Sequence, residues 1–581
     1  MTTYKTSTAQ AIVDAFKKEN VEYVFGLTGS HVLPITDALV DAPQIRHIVS
    51  KHESHAAYMA GMYGYLSGRP GVVLVTAGPG ATNSISGVAQ AYAASFPMVH
   101  ISGDVPLNAG NEAFHGVDRP DFLHRMFADI TKWSVRIERP ADIPGMLSRA
   151  FALAASGRPG PVHVDIPLDI VRATDLDIPP YQTSPVEKQV PSRALMDKVR
   201  AALKTARQPL LCAGRGVMIT AAETELRMLA ERVGTPVICT EYAQGAIDQD
   251  HDLFAGSISE WTANPMANEL LAEADFVLAL GMRSNTLLTS ILAEHGPPNT
   301  ILVALDEPGT LQAVPGLAVT EAADTKLFLS QLIEYRDEFH GSIDSSRRGR
   351  VLRYRKAYQK GLTLNMAEYA DAKPLHFGRI CMELGRHMDK DAIITAGVGH
   401  HSIWAREMLP IRNRESFIQE ASWGAMGGEL GAGIAAKLLY PERRVVVITG
   451  DGSLLMAISE LVTAVESGAN IMVVVLNDSR YGIISTMQYE FYERSFGDEI
   501  GAIDFARIAE GYGAVGIRVE TPRDLPEAVA RALASSNRSA VLLDVVCDHR
   551  YCWPDRPALL AAGLKAIGHK TYAPVGERPQ Q

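Results

Sequence analysis

The chain has 581 residues, of which 47% are apolar, and a formal net charge of −11 at pH 7. This length is too great for one domain and predicts three or four. The negative charge argues against nucleic-acid binding, and no apolar run approaches the roughly 20 residues that span a bilayer. Five scattered cysteines show no metal-binding spacing, and no signal-peptide core precedes the first amphipathic helix. We therefore expect a cytoplasmic protein that binds neither membranes nor nucleic acids.

The first block of the chain alternates amphipathic helices with short apolar strands. Tyr23–Gly26 is an expected strand that leads to Ser30, and Gly71–Thr76 is a second that leads to a turn over 77–83. A further helix begins at Glu53. Alternation of this kind predicts a parallel sheet, and the carboxyl ends of its strands meet at one edge, where ligands bind.

Two further blocks follow, separated by polar or charged stretches over 174–192 and 337–360 that we interpret as linkers. The fold class expected from the whole pattern is α/β, with three doubly wound domains of mainly parallel sheets. The expected domains cover 1–175, 190–337, which has Rossmann-like character, and 361–548. A tail over 549–581 continues past the last expected strand.

The third block carries the most specific pattern. Arg444–Thr449 reads as a buried strand that stops at Gly450-Asp451-Gly452-Ser453, and a second apolar run ends at Asn477. A carboxylate and a carboxamide at adjacent strand ends are oxygen ligands of the kind that Mg²⁺ prefers, together with water and phosphate oxygens. The glycines allow a diphosphate to approach the backbone closely.

These motifs occur together, in the same order, in one family. Glu53, the turn Gly78-Pro79-Gly80-Ala81-Thr82-Asn83 and the stretch from Gly450 to Asn477 resemble the thiamine-diphosphate enzymes of the acetolactate synthase and 2-oxoacid decarboxylase superfamily. The resemblance covers nearly the whole length of the chain. It implies a pyrimidine-binding domain, a middle domain and a diphosphate-binding domain, with thiamine diphosphate and Mg²⁺ as cofactors.

The family roles can be carried over position by position. Glu53 is similar to the carboxylate that hydrogen-bonds the pyrimidine ring and relays a proton. Gly424 and Met426 resemble the segment that bends the cofactor, and Asp451, Asn477 and the backbone carbonyl of Ser479 resemble the Mg²⁺ ligands. The other residues that the resemblance assigns to the cofactor are Gly78, Asn83, Val398, Gly399, His400, His401, Gly450, Gly452, Ser453, Tyr481, Gly482 and Ile483.

The resemblance also implies an assembly. In this family the block that carries Glu53 faces the block that carries Asp451 of another subunit. At least a homodimer is therefore expected, and a homotetramer is common.

The reaction is less narrowly defined by the sequence. Ser30, His115 and Glu493 are candidate catalytic residues in the substrate pocket, which Thr28, Gly29, His31, Phe114, Met487 and Gln488 are also expected to line. Leu287 stands where the acetolactate synthases carry the arginine that grips the acceptor carboxylate, which argues against acetolactate synthesis. Thr76 stands where the benzoylformate type of decarboxylase carries a histidine.

A third group within the family is the 2-hydroxyacyl-CoA lyases and oxalyl-CoA decarboxylases, which bind the ADP part of CoA in the middle domain and close a C-terminal segment over the thioester. The tail is a possible lid of this kind, with aromatic and basic residues at Tyr551, Trp553, Lys565, His569, Lys570 and Tyr572. The residues that could hold the nucleotide are Arg158, Gly214, Arg215, Arg283 and Asp306.

The preferred hypothesis from the sequence is a 2-hydroxyacyl-CoA lyase that yields formyl-CoA and a ketone or aldehyde. One alternative is an acetolactate-synthase-like carboligase whose middle domain holds FAD or nothing, and another is a 2-oxoacid decarboxylase. A non-catalytic thiamine-diphosphate binder is the remaining alternative, against which the presence of Glu53, Asp451 and Asn477 argues.

Overall fold

The chain divides into two compact units. The first comprises 1–187, 391–402 and 419–550, and the second comprises 188–390, 403–418 and 551–581. The computed structural model describes residues 4–109, 113–119, 121–258, 264–307, 309–339, 345–419, 423–550 and 554–568. Within these ranges no helix combines the length and the apolar character that a bilayer crossing requires.

The described residues of the first block form eight strands and eight α-helices. The strands are β1 (Tyr4–Thr6), β2 (Tyr23–Leu27), β3 (Arg46–Val49), β4 (Gly71–Val75), β5 (Met98–Asp104), β6 (Trp133–Arg136), β7 (Pro161–Pro167) and β8 (Leu176–Ile178). The helices are α1 (Thr8–Lys18), α2 (Leu33–Ala38), α3 (Glu53–Ser67), α4 (Pro79–Asn83), α5 (Ile85–Ala94), α6 (Phe122–Ala128), α7 (Ile143–Ala155) and α8 (Leu168–Val171). Six of the strands form a sheet in the order β3-β2-β4-β5-β7-β6, with parallel pairing throughout.

The middle block forms a second sheet of six strands. Its strands are β9 (Pro209–Ala213), β10 (Val237–Thr240), β11 (Phe254–Ile258), β12 (Phe276–Met282), β13 (Thr300–Ala304) and β14 (Val319–Ala322), and their order is β11-β10-β9-β12-β13-β14. The helices are α9 (Arg193–Thr205), α10 (Arg215–Ile219), α11 (Glu223–Val233), α12 (Pro265–Glu273), α13 (Leu287–His295), α14 (Thr325–Glu334), α15 (Ser345–Glu368) and α16 (Phe377–His387). This parallel sheet agrees with the Rossmann-like character expected of the block.

The third block forms a third six-stranded sheet. Its strands are β15 (Ile393–Ala396), β16 (Phe417–Gln419), β17 (Val445–Gly450), β18 (Met472–Asn477), β19 (Val515–Val519) and β20 (Val541–Val546), in the order β16-β15-β17-β18-β20-β19. The helices are α17 (His400–Met408), α18 (Gly428–Leu439), α19 (Asp451–Leu455), α20 (Glu460–Ser467), α21 (Gly482–Tyr492), α22 (Phe505–Gly511) and α23 (Leu525–Ser535), and a further helix, α24 (Arg556–Ala566), lies in the tail. Three parallel sheets, one for each expected block, confirm the predicted α/β fold class.

The second expected linker, over 337–360, contains a long helix. The basic run within it is consistent with a helix start, and α15 covers most of the stretch and extends to Glu368. Val351, Ala357 and Met366 of this helix are each at most 1% exposed. These buried positions lie on more than one side of the helix, so α15 is packed into the second unit rather than solvated along its length.

The described part of the tail is a helix that packs closely in the second unit. A Cβ placed on Gly361 of α15 would lie 1.9 Å from the carbonyl oxygen of Leu559 in α24, and one on Gly563 would lie 1.7 Å from that of Ala357. The two backbones therefore touch directly, which only glycine permits at these positions. The remaining tail residues, 551–553 and 569–581, lie outside the described residues, so the lid hypothesis stays a prediction.

A buried ion pair fixes the start of the same helix. Arg556 pairs with Glu407, which also accepts a hydrogen bond of 2.7 Å from the Tyr358 hydroxyl, and both charged side chains are less than a tenth exposed. The attraction of Arg556 lowers the pKa of Glu407 although burial acts in the opposite direction. A buried carboxylate that is paired and hydrogen-bonded in this way holds α24 in one place.

Gly361→Ala is expected to destabilise the second unit by about 1–3 kcal/mol, because the added methyl group overpacks the contact between α15 and α24. Thermal unfolding should shift downwards, and amide hydrogen exchange should accelerate in peptides that cover α24. Gly349→Ala is the matched control in the same helix, since a Cβ there meets nothing within 4 Å. Gly349→Ala should leave the free energy of unfolding unchanged or raise it by up to about 1 kcal/mol. Equal effects of the two variants on this free energy would contradict the packing argument.

Candidate active site

Two neighbouring strands of the third sheet bring the expected metal ligands to one edge. β17 and β18 are parallel with Gly450 opposite Leu476, so Asp451 and Asn477 follow at the same level. The side-chain nitrogen of Asn477 donates to the carbonyl of Ile503 at 3.0 Å and to Asp544 at 2.9 Å. These two bonds fix the amide group and leave its oxygen as the available ligand atom.

Asp451 is a buried carboxylate with an unused oxygen. Its Oδ1 accepts from the Gly452 amide at 2.8 Å, whereas its Oδ2 is buried without a hydrogen-bond partner in the described structure. Burial raises the pKa of Asp451 to about 6, although the backbone amides of Gly452, Ser479 and Arg480 act to lower it. Such a group gains from a cation beside it.

A second carboxyl group stands next to Asp451. Burial and the charge of Asp451 raise the pKa of Asp478 to about 8. Ser479 follows with φ of 59°, and its carbonyl oxygen accepts from the Ile500 amide at 3.0 Å, which leaves one lone pair. The described residues contain no group of three or more His, Cys, Asp or Glu side chains suited to a metal. A divalent cation here would therefore use mixed oxygen ligands, which is the preference of Mg²⁺.

The expected diphosphate residues surround this edge. The ring of His401 lies against the backbone, since a Cβ on Gly450 would be 3.1 Å from its Nδ1, and a Cβ on Gly452 would be 2.6 Å from the Tyr481 ring. Burial lowers the pKa of His400 to about 4 and that of His401 to about 3, so both rings are neutral at pH 7. Ser453 Oγ and His401 Nε2 are buried without hydrogen-bond partners in the described structure.

Unpaired polar atoms in a buried place normally require an explanation, and a bound group supplies one. Here Asp451 Oδ2, Ser453 Oγ and His401 Nε2 are such atoms at one sheet edge. The residues present therefore fit a cation and a diphosphate. Gly424 has the left-handed φ of 70°, and Met426 is half-buried two residues later. Val398 and Ile483 are also half-buried; Val398 stands in the turn that follows β15, and Ile483 in the first turn of α21.

The other expected half of the site lies at the start of α3. Glu53 is 5% exposed, and its Oε2 accepts from the Asn83 side chain at 3.0 Å. Gly80 packs against the same carboxylate, because a Cβ there would be 3.4 Å from Glu53 Oε1. The Lys51 and His52 amides donate to Glu460 at 2.8 and 2.9 Å, which fixes the chain just before the helix.

A polar wall adjoins Glu53 at the ends of β2 and β4. His31 Nδ1 lies 3.1 Å from Ser30 Oγ and 3.3 Å from Thr76 Oγ1. Thr76 also reaches towards Glu53, since a Cβ on Gly80 would meet its methyl group at 2.7 Å. The pKa of His31 is lowered, first by burial and then by the charges of His115 and Arg172. His31 is thus a neutral ring held by two hydroxyl groups.

His115 completes this wall from the loop that follows β5. Its ring stacks on that of His31 with centroids 5.1 Å apart, and its backbone has φ of 70°. His115 Nδ1 is buried and has no hydrogen-bond partner in the described structure. A residue other than glycine in the left-handed backbone conformation stores strain, and such strained residues are most common at functional sites. The structure therefore brings together Ser30 and His115 through His31.

Glu493 is placed differently from the other candidates. It ends α21 with φ of 57° and is exposed, whereas Gln488 on the same helix exchanges hydrogen bonds with the backbone of Phe496. No described contact joins Glu493 to the residues above, and its catalytic role stays a prediction.

Four of the five expected nucleotide residues gather at the edge of the middle sheet. Gly214, Arg283 and Asp306 follow the neighbouring strands β9, β12 and β13, and Arg215 begins α10. A Cβ on Gly214 would be 2.7 Å from the carbonyl of Gly281, so this glycine is needed for close backbone contact. Asp306 accepts from the Ser284 amide at 2.6 Å. These contacts explain Gly214 and Asp306 without a nucleotide, and nucleotide binding stays a prediction.

Arg158 has a role within the first unit. It is 5% exposed, its Nε donates to Ser95 Oγ at 2.9 Å, its Nη2 donates to the carbonyl of Tyr92, and its guanidinium lies over the Tyr92 ring. These contacts engage the guanidinium within the first unit. A nucleotide role for Arg158 stays a prediction.

Sequence reasoning missed two acidic residues of the site. Asp478 directly follows Asn477, and Glu429 stands in the first turn of α18 just after the segment that carries Met426. The sequence offers one signal for each of these residues. Asp478 is an acidic residue next to an expected metal ligand, and Glu429 is an acidic residue at the start of a helix after a glycine-rich turn. Both are common in ordinary helix caps and turns, so the signal alone did not distinguish them.

Comparison with known proteins agrees with this geometry. Three family models match the chain: the N-terminal TPP binding domain of thiamine pyrophosphate enzymes over residues 6–122, the central domain over 196–332 and the C-terminal TPP binding domain over 397–545.

Curated relatives match over nearly the full length. The chain is 31% identical to the probable acetolactate synthase large subunit of Methanocaldococcus jannaschii, over 94% of this chain and 93% of that protein. It is 31% identical to the acetolactate synthase large subunit of Corynebacterium glutamicum, over 94% and 88%, and 30% identical to that of Lactococcus lactis, over 90% of both. The chain therefore belongs to the thiamine pyrophosphate enzyme family and is a thiamine-diphosphate-dependent enzyme.

Proposed function

We propose that this protein is a Mg²⁺-dependent carboligase of the acetolactate synthase type. It would take a 2-oxoacid, release CO₂ and join the remaining acyl group to the carbonyl carbon of a second substrate, giving a 2-hydroxy ketone. The observation that carries the proposal is the full-length similarity to acetolactate synthase large subunits, combined with the presence of Glu53, Asp451 and Asn477. The similarity favours this reaction over the 2-hydroxyacyl-CoA lyase hypothesis.

Thiamine diphosphate, when bound, supplies a nucleophilic ring carbon that adds to a carbonyl and then accepts the electron pair of the bond that breaks. Glu53 is suited to exchange a proton with the pyrimidine ring, because Asn83 and Gly80 hold its carboxylate in one place. Asp451, the Asn477 oxygen and the Ser479 carbonyl would hold the cation, with Gly452 and Ser453 beside the diphosphate.

The wall of Ser30, His31, Thr76 and His115 is suited to the substrate oxygen. Joining two carbonyl compounds requires one proton at the acceptor oxygen, which becomes the product hydroxyl. The unpaired Nδ1 of His115 can exchange such a proton, and His31 orients the Ser30 hydroxyl beside it. Because Leu287 replaces the expected arginine, we expect an acceptor without a carboxylate, such as an aldehyde, rather than a second 2-oxoacid.

The 2-hydroxyacyl-CoA lyase hypothesis has weaker support. Arg158 is engaged within the first unit, Gly214 and Asp306 have structural contacts, and α24 is held by a buried ion pair. These observations weaken the case for a CoA site at Arg158, Gly214 and Asp306, although the family contains both reactions.

Product analysis tests the proposal directly. With Mg²⁺, thiamine diphosphate, pyruvate and a panel of aldehydes, we expect CO₂ release and a 2-hydroxy ketone, identified by mass spectrometry. Glu53→Gln is the control and should lower turnover by about 10²-fold or more. Formyl-CoA produced from a 2-hydroxyacyl-CoA would establish the lyase instead, CO₂ with a free aldehyde would establish a decarboxylase, and no turnover would leave a cofactor-binding protein. A yellow protein would point to FAD in the middle domain.

Asp451→Asn is expected to weaken Mg²⁺ or Mn²⁺ binding by at least about tenfold, since even residues that only orient a metal ligand contribute 10- to 100-fold. Calorimetric titration of the metal in the presence of excess thiamine diphosphate measures this change. Glu510→Gln, which alters an exposed carboxylate on α22, is the matched control and should bind as the wild type does. An unchanged metal affinity in Asp451→Asn would exclude this site.

We further propose a homodimer in which Glu53 and Asp451 of different subunits meet. Large apolar side chains on and after α21 support an interface, since Phe491, Tyr492 and Phe496 of the first unit are 69%, 70% and 91% exposed. Glu53→Gln and Asp451→Asn should each be inactive alone. A purified heterodimer of the two variants should regain activity, because one of its sites then combines an intact Glu53 with an intact Asp451. Absence of recovery in a verified heterodimer would place both residues of a site in one chain.

A further inference from the structure

Glu429 is a fully buried acid at the centre of the proposed diphosphate site. It stands in the first turn of α18 and is 1% exposed. Its backbone carbonyl accepts from Thr395 Oγ1 at 2.9 Å, and its side-chain Oε1 accepts from Thr449 Oγ1 at 2.5 Å. These bonds tie the residue to the ends of β15 and β17, which are the strands that lead into the diphosphate turns.

The second carboxyl oxygen has no such partner. Glu429 Oε2 is buried without a hydrogen bond in the described structure, and so is the neighbouring Ser453 Oγ. A Cβ on Gly397 would lie 2.6 Å from Oε2, so the turn after β15 leaves room for this carboxyl only because residue 397 is glycine. Three parts of the diphosphate site, around Gly397, Thr449 and Ser453, therefore converge on one acid.

We propose, on the basis of the proposed cofactor site, that Glu429 binds the diphosphate end of the cofactor as a neutral carboxyl group, through a proton on Oε2 that is donated to Ser453 Oγ or to a phosphate oxygen. An ionised carboxylate at this place would repel the diphosphate. A protonated one becomes a donor, and Ser453 is then free to donate its own hydrogen to phosphate. Thr449 Oγ1 lies 2.5 Å from Oε1 and 3.1 Å from the Gly450 carbonyl. When Thr449 donates its one hydroxyl proton to the nearer acceptor, Oε1, the carboxyl proton belongs on Oε2.

Burial agrees with this assignment, because it raises the pKa of Glu429 even though Thr449, backbone amides and Ser453 act to lower it. The neutral donor form is therefore present below the raised pKa and is lost as the pH rises through it. Titratable groups that face this region include His401 at the start of α17, Asp451 at the start of α19, Glu460 on α20, and Glu53 and His55 on α3. Both α20 and α3 pack against α18. Variants of Glu429 leave these groups unchanged.

The test compares thiamine diphosphate affinity in the wild type, Glu429→Gln and Glu429→Ala over the whole pH range in which each protein stays folded, at saturating Mg²⁺, by quenching of tryptophan fluorescence. Glutamine has nearly the same shape as glutamate and keeps a hydrogen-bond donor at every pH. Glu429→Gln should therefore bind thiamine diphosphate about as tightly as the wild type at low pH and more tightly at high pH. Glu429→Ala should lose about tenfold in affinity, the effect of about one hydrogen bond to a charged group. Glu383→Gln, which changes a buried glutamate of the second unit, should leave the affinity unchanged.

Each result has a separate meaning. A wild-type protein that does not bind thiamine diphosphate with Mg²⁺ would overturn the cofactor assignment itself. Binding by the wild type with the same pH profile in Glu429→Gln would overturn only the role of Glu429, and so would wild-type affinity in a folded Glu429→Ala. If Glu429→Ala does not fold, the pH profile of Glu429→Gln still decides, and no substrate enters the measurement.

Discussion

Desolvation of carboxyl groups at the edge of the third sheet is the constraint on which the rest of the site depends. Asp451, Asp478, Asp544 and Glu429 are all largely buried, and burial raises the pKa of each. Acids in such a place must be protonated, paired or bound to a cation. Asp544 is paired with Arg518 and Asn477, whereas Asp451 keeps an unpaired oxygen. Asp544 therefore supports the site, and Asp451 is the proposed metal ligand.

The parallel sheet explains why these groups meet. In such a sheet the carboxyl ends of all strands share one edge, so residues far apart in sequence become neighbours. The same geometry places Glu53 and the wall of Ser30, His31, Thr76 and His115 at the corresponding edge of the first sheet. Residues 78, 397 and 452 are glycines without a side chain. His115, Glu429 and Tyr481, respectively, occupy the space that a side chain there would need. Strand order thus determines which residues meet, and glycine determines how closely.

Sequence patterns predicted the strands and their polar ends well, because apolar runs and glycine turns are local signals. The strand expected over 444–449 is β17 at Val445–Gly450, and the expected strand before Asn477 is β18. The segment between these two strands forms two short helices, α19 and α20, and most of the expected linker over 337–360 is α15. Contacts between distant residues left no local signal. The pairing of Arg158 with Tyr92 and the place of Glu429 beneath Gly397 therefore could not be read from the sequence.

The charge balance of the diphosphate site gives the cation a larger role than that of a simple bridge. The residues that surround the proposed site are glycines, hydroxyl groups, buried acids and the neutral rings of His400 and His401, and none of those named here is lysine or arginine. Nearby Arg480 is paired with Asp498 and Glu499. Among the described residues named here, the proposed metal ion would then be the main positive charge beside the diphosphate. Because the same ion would also lie beside Asp451, cation and diphosphate should stabilise each other's binding, and neither should bind well without the other.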